Sequence, residues 1–141
     1  AGADLVAVHA ETGAEGLAAL DLLAARGTAG GVALTLDQPL AALDPFLPRV
    51  AMVTLMGTRI GIKGAGLDPE AVPRIRALRQ TLAAQGLGRV RVAADGGIRD
   101  TTVPDLRAAG ADTVVMGSLA FGADDLAARF GWLRGLGAQQ A

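Results

Sequence analysis

Residues 90–118 read VRVAADGGIRDTTVPDLRAAGADTVVMGS, and their reading decides the fold class. An apolar run (Val90, Val92, Ala93, Ala94) leads into Asp95-Gly96-Gly97-Ile98, and Asp100-Thr101-Thr102 then supplies residues that start a helix. The helical stretch Thr102–Ala109 stops at Gly110, and a second Val-rich run, Thr113–Met116, ends in Gly117-Ser118. A strand, a helix and a second strand in so short a span form a parallel unit, because parallel strands need a crossover. A carboxylate at a strand end followed by two glycines puts an acid beside backbone that can approach an anion closely. Chemistry on a phosphorylated substrate is the first functional expectation.

The rest of the chain repeats this pattern. Leu5–His9 reads as a strand, and Leu17, Leu20, Leu22 and Leu23 mark a helix that ends near Gly27. Gly31–Thr35 reads as a strand, Pro39–Phe46 as a short helix, Val50–Met56 as a strand and Pro69–Gln85 as a longer helix closed by Gly86. Val90–Ala94 and Thr113–Met116 are the remaining strands, and Asp124–Leu133 is a closing helix. Such short, apolar, Val-rich strands suit a parallel sheet. The tetrapeptide Ala-Gly-Ala-Asp occurs at residues 1–4 and again at 109–112, each time before a Val-rich strand. In the second copy the glycine ends a helix, so the first reads as the end of another, and residue 1 is expected to lie inside a larger fold. Two architectures fit the pattern equally: an open five-stranded doubly wound sheet, or five units of an eight-unit barrel.

Composition narrows the function. The chain has 141 residues, a net charge of -1 and 51% hydrophobic residues. That balance offers no general attraction for nucleic acid or anionic membrane. With no cysteine there is no thiol nucleophile and no thiolate metal site. No apolar stretch approaches the roughly 20 residues of a membrane span, and a cytoplasmic location is expected. Twelve of the thirteen basic residues are Arg and only Lys63 is Lys, a bias that says little about function.

Taken in order, Ala-Gly-Ala-Asp with His9-Ala10-Glu11, Gly31-Val32-Ala33-Leu34 with Pro39-Leu40, Ala94-Asp95-Gly96-Gly97-Ile98 and Met116-Gly117-Ser118-Leu119-Ala120-Phe121 resemble the ribulose-phosphate 3-epimerase family. The resemblance implies an α/β fold, a (β/α)8 TIM barrel of the ribulose-phosphate-binding type, present over residues 1–141 as one partial barrel domain containing strands four to eight. It also implies epimerisation of a pentose 5-phosphate, D-ribulose 5-phosphate to D-xylulose 5-phosphate, by acid/base proton transfer assisted by a divalent ion (zinc, iron, manganese, cobalt or magnesium). By motif, Asp95 matches the family's acid/base and metal ligand. The partner aspartate and the histidine ligands belong to strands two and three. The usual Asn-Pro-Gly-Phe-Gly-Gly loop is replaced by residues 56–66, in which Gly61 and Gly64 could fill similar backbone roles and Arg59 and Lys63 add cations.

Read beside the resemblance, strand parity places Asp95 with Ala93 and Arg91, facing the barrel mouth, and leaves Val90, Val92 and Ala94 for the helices. Gly96, Gly97, Gly117 and Ser118 form the expected phosphate grip, since loops after strands seven and eight hold phosphate in such barrels. His9, the sole histidine, shares parity with Leu5 and Ala7 and could hydrogen-bond substrate, although a lone strand-end histidine is more often structural. Glu11 reads as a cap of the following helix. Two further functions compete: a sugar-phosphate-binding piece without catalysis, and a Schiff-base aldolase using Lys63. A sugar phosphate is the expected partner. Unpaired edge strands predict a homo-oligomer unless the missing half-barrel is supplied.

Overall fold

The computed structural model describes residues 2–59, 61 and 64–138. Five strands appear among them: β1 (Leu5–His9), β2 (Ala29–Leu34), β3 (Met52–Met56), β4 (Arg91–Asp95) and β5 (Thr113–Val115). The helices are α1 (Gly13–Ala25), α2 (Ala71–Ala84), α3 (Val103–Ala108), α4 (Ser118–Phe121) and α5 (Leu126–Ala138). The strands form one parallel sheet in the order β1-β2-β3-β4-β5. This order decides between the two architectures. A doubly wound sheet reverses its strand order at a switch point and covers both faces with helices. A sheet that adds each new strand on the same side, through right-handed crossovers, collects its helices on one face, as a barrel wall does.

Packing agrees with that reading. Val32, Leu34, Val53, Leu55, Val92 and Ala94 form one core with Leu20 of α1, Ile75, Leu78 and Leu82 of α2 and Leu106 of α3. Each fully buried side chain of this type contributes roughly 1.5–3 kcal/mol relative to exposure. Alternate positions face the other way. The register aligns Ala7, Gly31, Met52 and Arg91 in one row, His9, Ala33, Thr54, Ala93 and Thr113 in the next, and Met56, Asp95 and Val115 in the row nearest the strand ends. Asp95 is the last residue of β4 and lies on this inner face, as its parity predicts.

The expected Pro39–Phe46 helix is absent. Leu40–Leu43 and Leu47–Arg49 are separate 3-10 turns, because Pro45 and Pro48 lack the amide that would carry an α-helical ladder through the segment. Glu11 is not a cap: it lies in a 3-10 turn over Ala10–Thr12, and α1 has no side-chain cap. The closing helix starts later and runs further than expected, over Leu126–Ala138. No helix among the described residues is long and apolar enough to cross a membrane.

One polar clamp fixes the outer layer to the sheet. Arg79 of α2 donates through Nε to the Gly110 carbonyl at 2.6 Å, through Nη1 to the Val90 carbonyl at 3.0 Å, and through Nη2 to the Asp112 carboxylate. Asp112 in turn accepts the Val92 amide at 2.9 Å. Burial first, and the Arg107 charge second, push the Arg79 guanidinium below its ordinary pKa.

Candidate active site

The ends of β3, β4 and β5 meet at one mouth. The Gly57 amide donates to the Asp95 carbonyl at 2.6 Å, and the Gly57 carbonyl accepts the Asp68 amide at 2.9 Å, which ties the loop after β3 to the end of β4. This approach requires glycine. A Cβ on Gly97, whose φ is +68°, would lie 2.6 Å from Leu67 Cα, and one on Gly57 would lie 2.6 Å from the Gly96 carbonyl oxygen. The glycine pair after Asp95 therefore lets two loops lie backbone against backbone, as well as supporting the turn.

Between these loops and the end of β5 lies a cavity of about 420 Å³. Asp95, Gly96, Gly97, Ile98 and Arg99 form one wall, Thr58, Gly64 and Ala65 a second, and Val115, Gly117 and Ser118 a third. The structure thus brings together Asp95, Gly96, Gly97, Gly117, Ser118 and Gly64. Gly61 is exposed and does not line the cavity, and Lys63 falls outside the described residues. His9 does not line it either. It stands one row below Asp95 and three strands away, roughly 14 Å along the sheet at ~4.8 Å per strand. Its Nδ1 is buried without a hydrogen-bond partner, and the nearest carboxylate oxygen, on Glu11, is 3.8 Å away.

Thr58 and Arg99 line the cavity and were not singled out by motif. Arg99 could have been found by reading four residues past Asp95 within the same turn. A larger cavity, about 500 Å³, lies on the helix side between α3, β5 and α5. Among the described residues its one carboxylate, Asp112, is already engaged by Arg79.

Asp37, after β2, has its carboxyl held below the ordinary aspartate pKa. The Thr35 hydroxyl is the main cause, followed by the backbone amide of Asp37, with smaller effects from Arg59 and Arg74. Arg74 holds the same turn by donating to the carbonyls of Thr35 at 3.1 Å and Gln38 at 2.8 Å.

The divalent ion implied by the family resemblance finds no complete donor set here. No group of three or more His, Cys, Asp or Glu side chains comes together among the described residues. Among the described residues Asp95 is the one carboxylate on the cavity wall, and a stable first-row site needs about three protein ligands.

Residues 1–121 match the profile of the ribulose-phosphate 3 epimerase family. The chain belongs to this family. Ribulose-phosphate 3-epimerase from Synechocystis is 34% identical over 129 residues, covering 90% of this chain and 56% of the relative. The Mycobacterium bovis enzyme of the same name is 34% identical over 134 residues, covering 95% and 58%. The Escherichia coli K12 enzyme is 28% identical over 125 residues. The chain spans a little over half the length of the curated relatives it matches. Among solved structures, 3-hexulose-6-phosphate synthase superposes with a TM-score of 0.64 at 25% identity, covering 96% of this chain and 62% of that one. Orotidine 5'-monophosphate decarboxylase from Sulfolobus solfataricus superposes with a TM-score of 0.62 at 15% identity, a likeness of fold alone.

Proposed function

We propose that the protein interconverts D-ribulose 5-phosphate and D-xylulose 5-phosphate, with Asp95 as one of two acid/base groups. The observation that carries this reading is the position of Asp95 in a chain of this family. It ends the inner row of β4 and opens onto the cavity walled by Gly97, Gly117 and Ser118. The carboxylate takes the proton from C3, the C3–H electron pair moves toward the carbonyl, and an enediolate results. Return of a proton on the opposite face completes the inversion. That step needs a second acid, and among the described residues Asp95 is the only carboxylate on the cavity wall. Gly96, Gly97, Gly117 and Ser118 hold the phosphate end of the substrate, with the Ser118 hydroxyl as a side-chain donor.

The lone carboxylate also favours a second reading, in which this stretch binds a sugar phosphate without turning it over. Exchange of the C3 proton of ribulose 5-phosphate with deuterated solvent separates the two. Exchange by the wild type that Asp95→Asn abolishes supports the acid/base role; phosphate binding without exchange supports the second reading. Exchange that persists undiminished in Asp95→Asn would falsify the assignment of Asp95. Among the described residues β1 and β5 each pair on one side only, a condition that favours pairing with another chain, and self-association measured by sedimentation is the expected behaviour of this stretch.

A further inference from the structure

We propose that Arg99 grips the substrate phosphate and sets the preference for a phosphorylated over an unphosphorylated sugar, an inference that rests on the reading above. Arg99 is the one cationic residue lining the Asp95 cavity among the described residues. It is exposed, and no carboxylate pairs with it among those residues. Its backbone is pinned. The Arg99 amide donates to Thr102 Oγ1 at 2.9 Å, and that hydroxyl donates to the Gly97 carbonyl at 2.7 Å. The Arg99 carbonyl accepts the amides of Thr102 at 3.1 Å and Val103 at 3.0 Å. A fixed backbone at the cavity lip thus carries a guanidinium that no carboxylate pairs with among the described residues.

The charges of the site call for such a group. A phosphate dianion placed near Asp95 is repelled by its carboxylate, and glycine amides and a serine hydroxyl offer only partial positive charge. A guanidinium supplies a full charge and two parallel N–H donors that match phosphate oxygens. Arg59 influences Asp37 after β2 and does not line this cavity, so it does not substitute for Arg99.

Calorimetric titration with inorganic phosphate tests the proposal in the wild type, Arg99→Gln, Arg99→Lys and Arg89→Gln. The last removes an exposed cation at the other end of β4 and controls for net charge. Arg99→Gln is expected to weaken phosphate binding on the order of 10- to 100-fold, as loss of charge-assisted hydrogen bonds does. Arg99→Lys should recover part of it, and Arg89→Gln should leave it unchanged. With ribulose 5-phosphate, KM should rise by a similar factor while kcat changes little. Equal phosphate binding by Arg99→Gln and the wild type overturns the proposal, as does a wild type that takes up no phosphate. Acetate binding as tight as phosphate overturns the preference for phosphate. Phosphate binding that depends on Arg99 in a protein that exchanges no C3 proton would sustain the Arg99 assignment and overturn the epimerase reading.

Discussion

Gly97→Ala and Gly86→Ala together measure how much the mouth depends on close contact between its two loops. Both glycines have φ of +68°, so alanine at either position meets the same left-handed conformational penalty, about 1–2 kcal/mol. Their surroundings differ. A Cβ on Gly86 meets nothing within 4 Å, whereas one on Gly97 lies 2.6 Å from Leu67 Cα and 2.8 Å from Leu67 N. Those atoms are backbone and cannot rotate away, so the loop after β3 must shift, and overpacking of this kind adds about 1–3 kcal/mol. Gly86→Ala should therefore destabilise by about 1–2 kcal/mol and Gly97→Ala by about 2–5 kcal/mol. Urea unfolding followed by circular dichroism, with equal m-values required for the comparison, gives the difference directly. If Gly97→Ala proves no more destabilising than Gly86→Ala, the close packing of the two loops is not a source of stability and the account of the mouth fails.

Other substitutions probe the core, the clamp and the turn after β2. Leu82→Ala, at a fully buried position of α2, should cost about 2–5 kcal/mol, while Leu22→Ala, 62% exposed, should stay within about 0.5 kcal/mol; thermal or urea unfolding distinguishes them. Arg79→Met removes the donors to Gly110, Val90 and Asp112 and should destabilise by about 2–3 kcal/mol, with hydrogen exchange rising first at β4 and β5. The Asp37 carboxyl, followed by NMR, should titrate below an ordinary aspartate, and Thr35→Val should move it back up because Thr35 is the main cause. Since the folded pKa is the lower one, its small stabilisation is present above the unfolded value near ~3.9 and disappears as pH falls through the folded value. An unchanged titration in Thr35→Val would remove the hydroxyl from the explanation.

The parts of the fold most readable from sequence were those with a strong period and a firm stop. β4 was legible because Val90, Val92 and Ala94 alternate with residues of the other face and Asp95-Gly96-Gly97 ends the run. The long helix before it was legible because Ile75, Leu78 and Leu82 recur at helical spacing and Gly86 closes it. Pro39–Phe46 misled because its apolar spacing suits a helix while Pro45, with Pro48 just beyond it, forbids a continuous ladder. α4, with four residues, is too short to show any period. At the site, Asp95 could be placed by parity, but His9 could not be separated from the cavity, because parity gives the face of a strand and not its distance across the sheet. Arg99 was within reach of a local reading, four residues past Asp95, whereas Thr58 depends on how the loops after β3 and β4 fold against each other, which no local pattern encodes.

The unbroken strand order has a kinetic meaning. Strand contacts run from β1 to β2, β2 to β3, β3 to β4 and β4 to β5, so each strand is laid beside the one synthesised just before it. Among the five described strands none waits for a partner from far along this stretch, and loop closure between them stays inexpensive at every addition. For this stretch by itself, opening should begin at β1 and β5, which each pair on one side only among the described residues, and move inward. The middle strand, β3, with a neighbour on each side and Val53 fully buried beneath α2, should exchange its amide hydrogens last, while β5 and the mouth it shares with Asp95 breathe earlier.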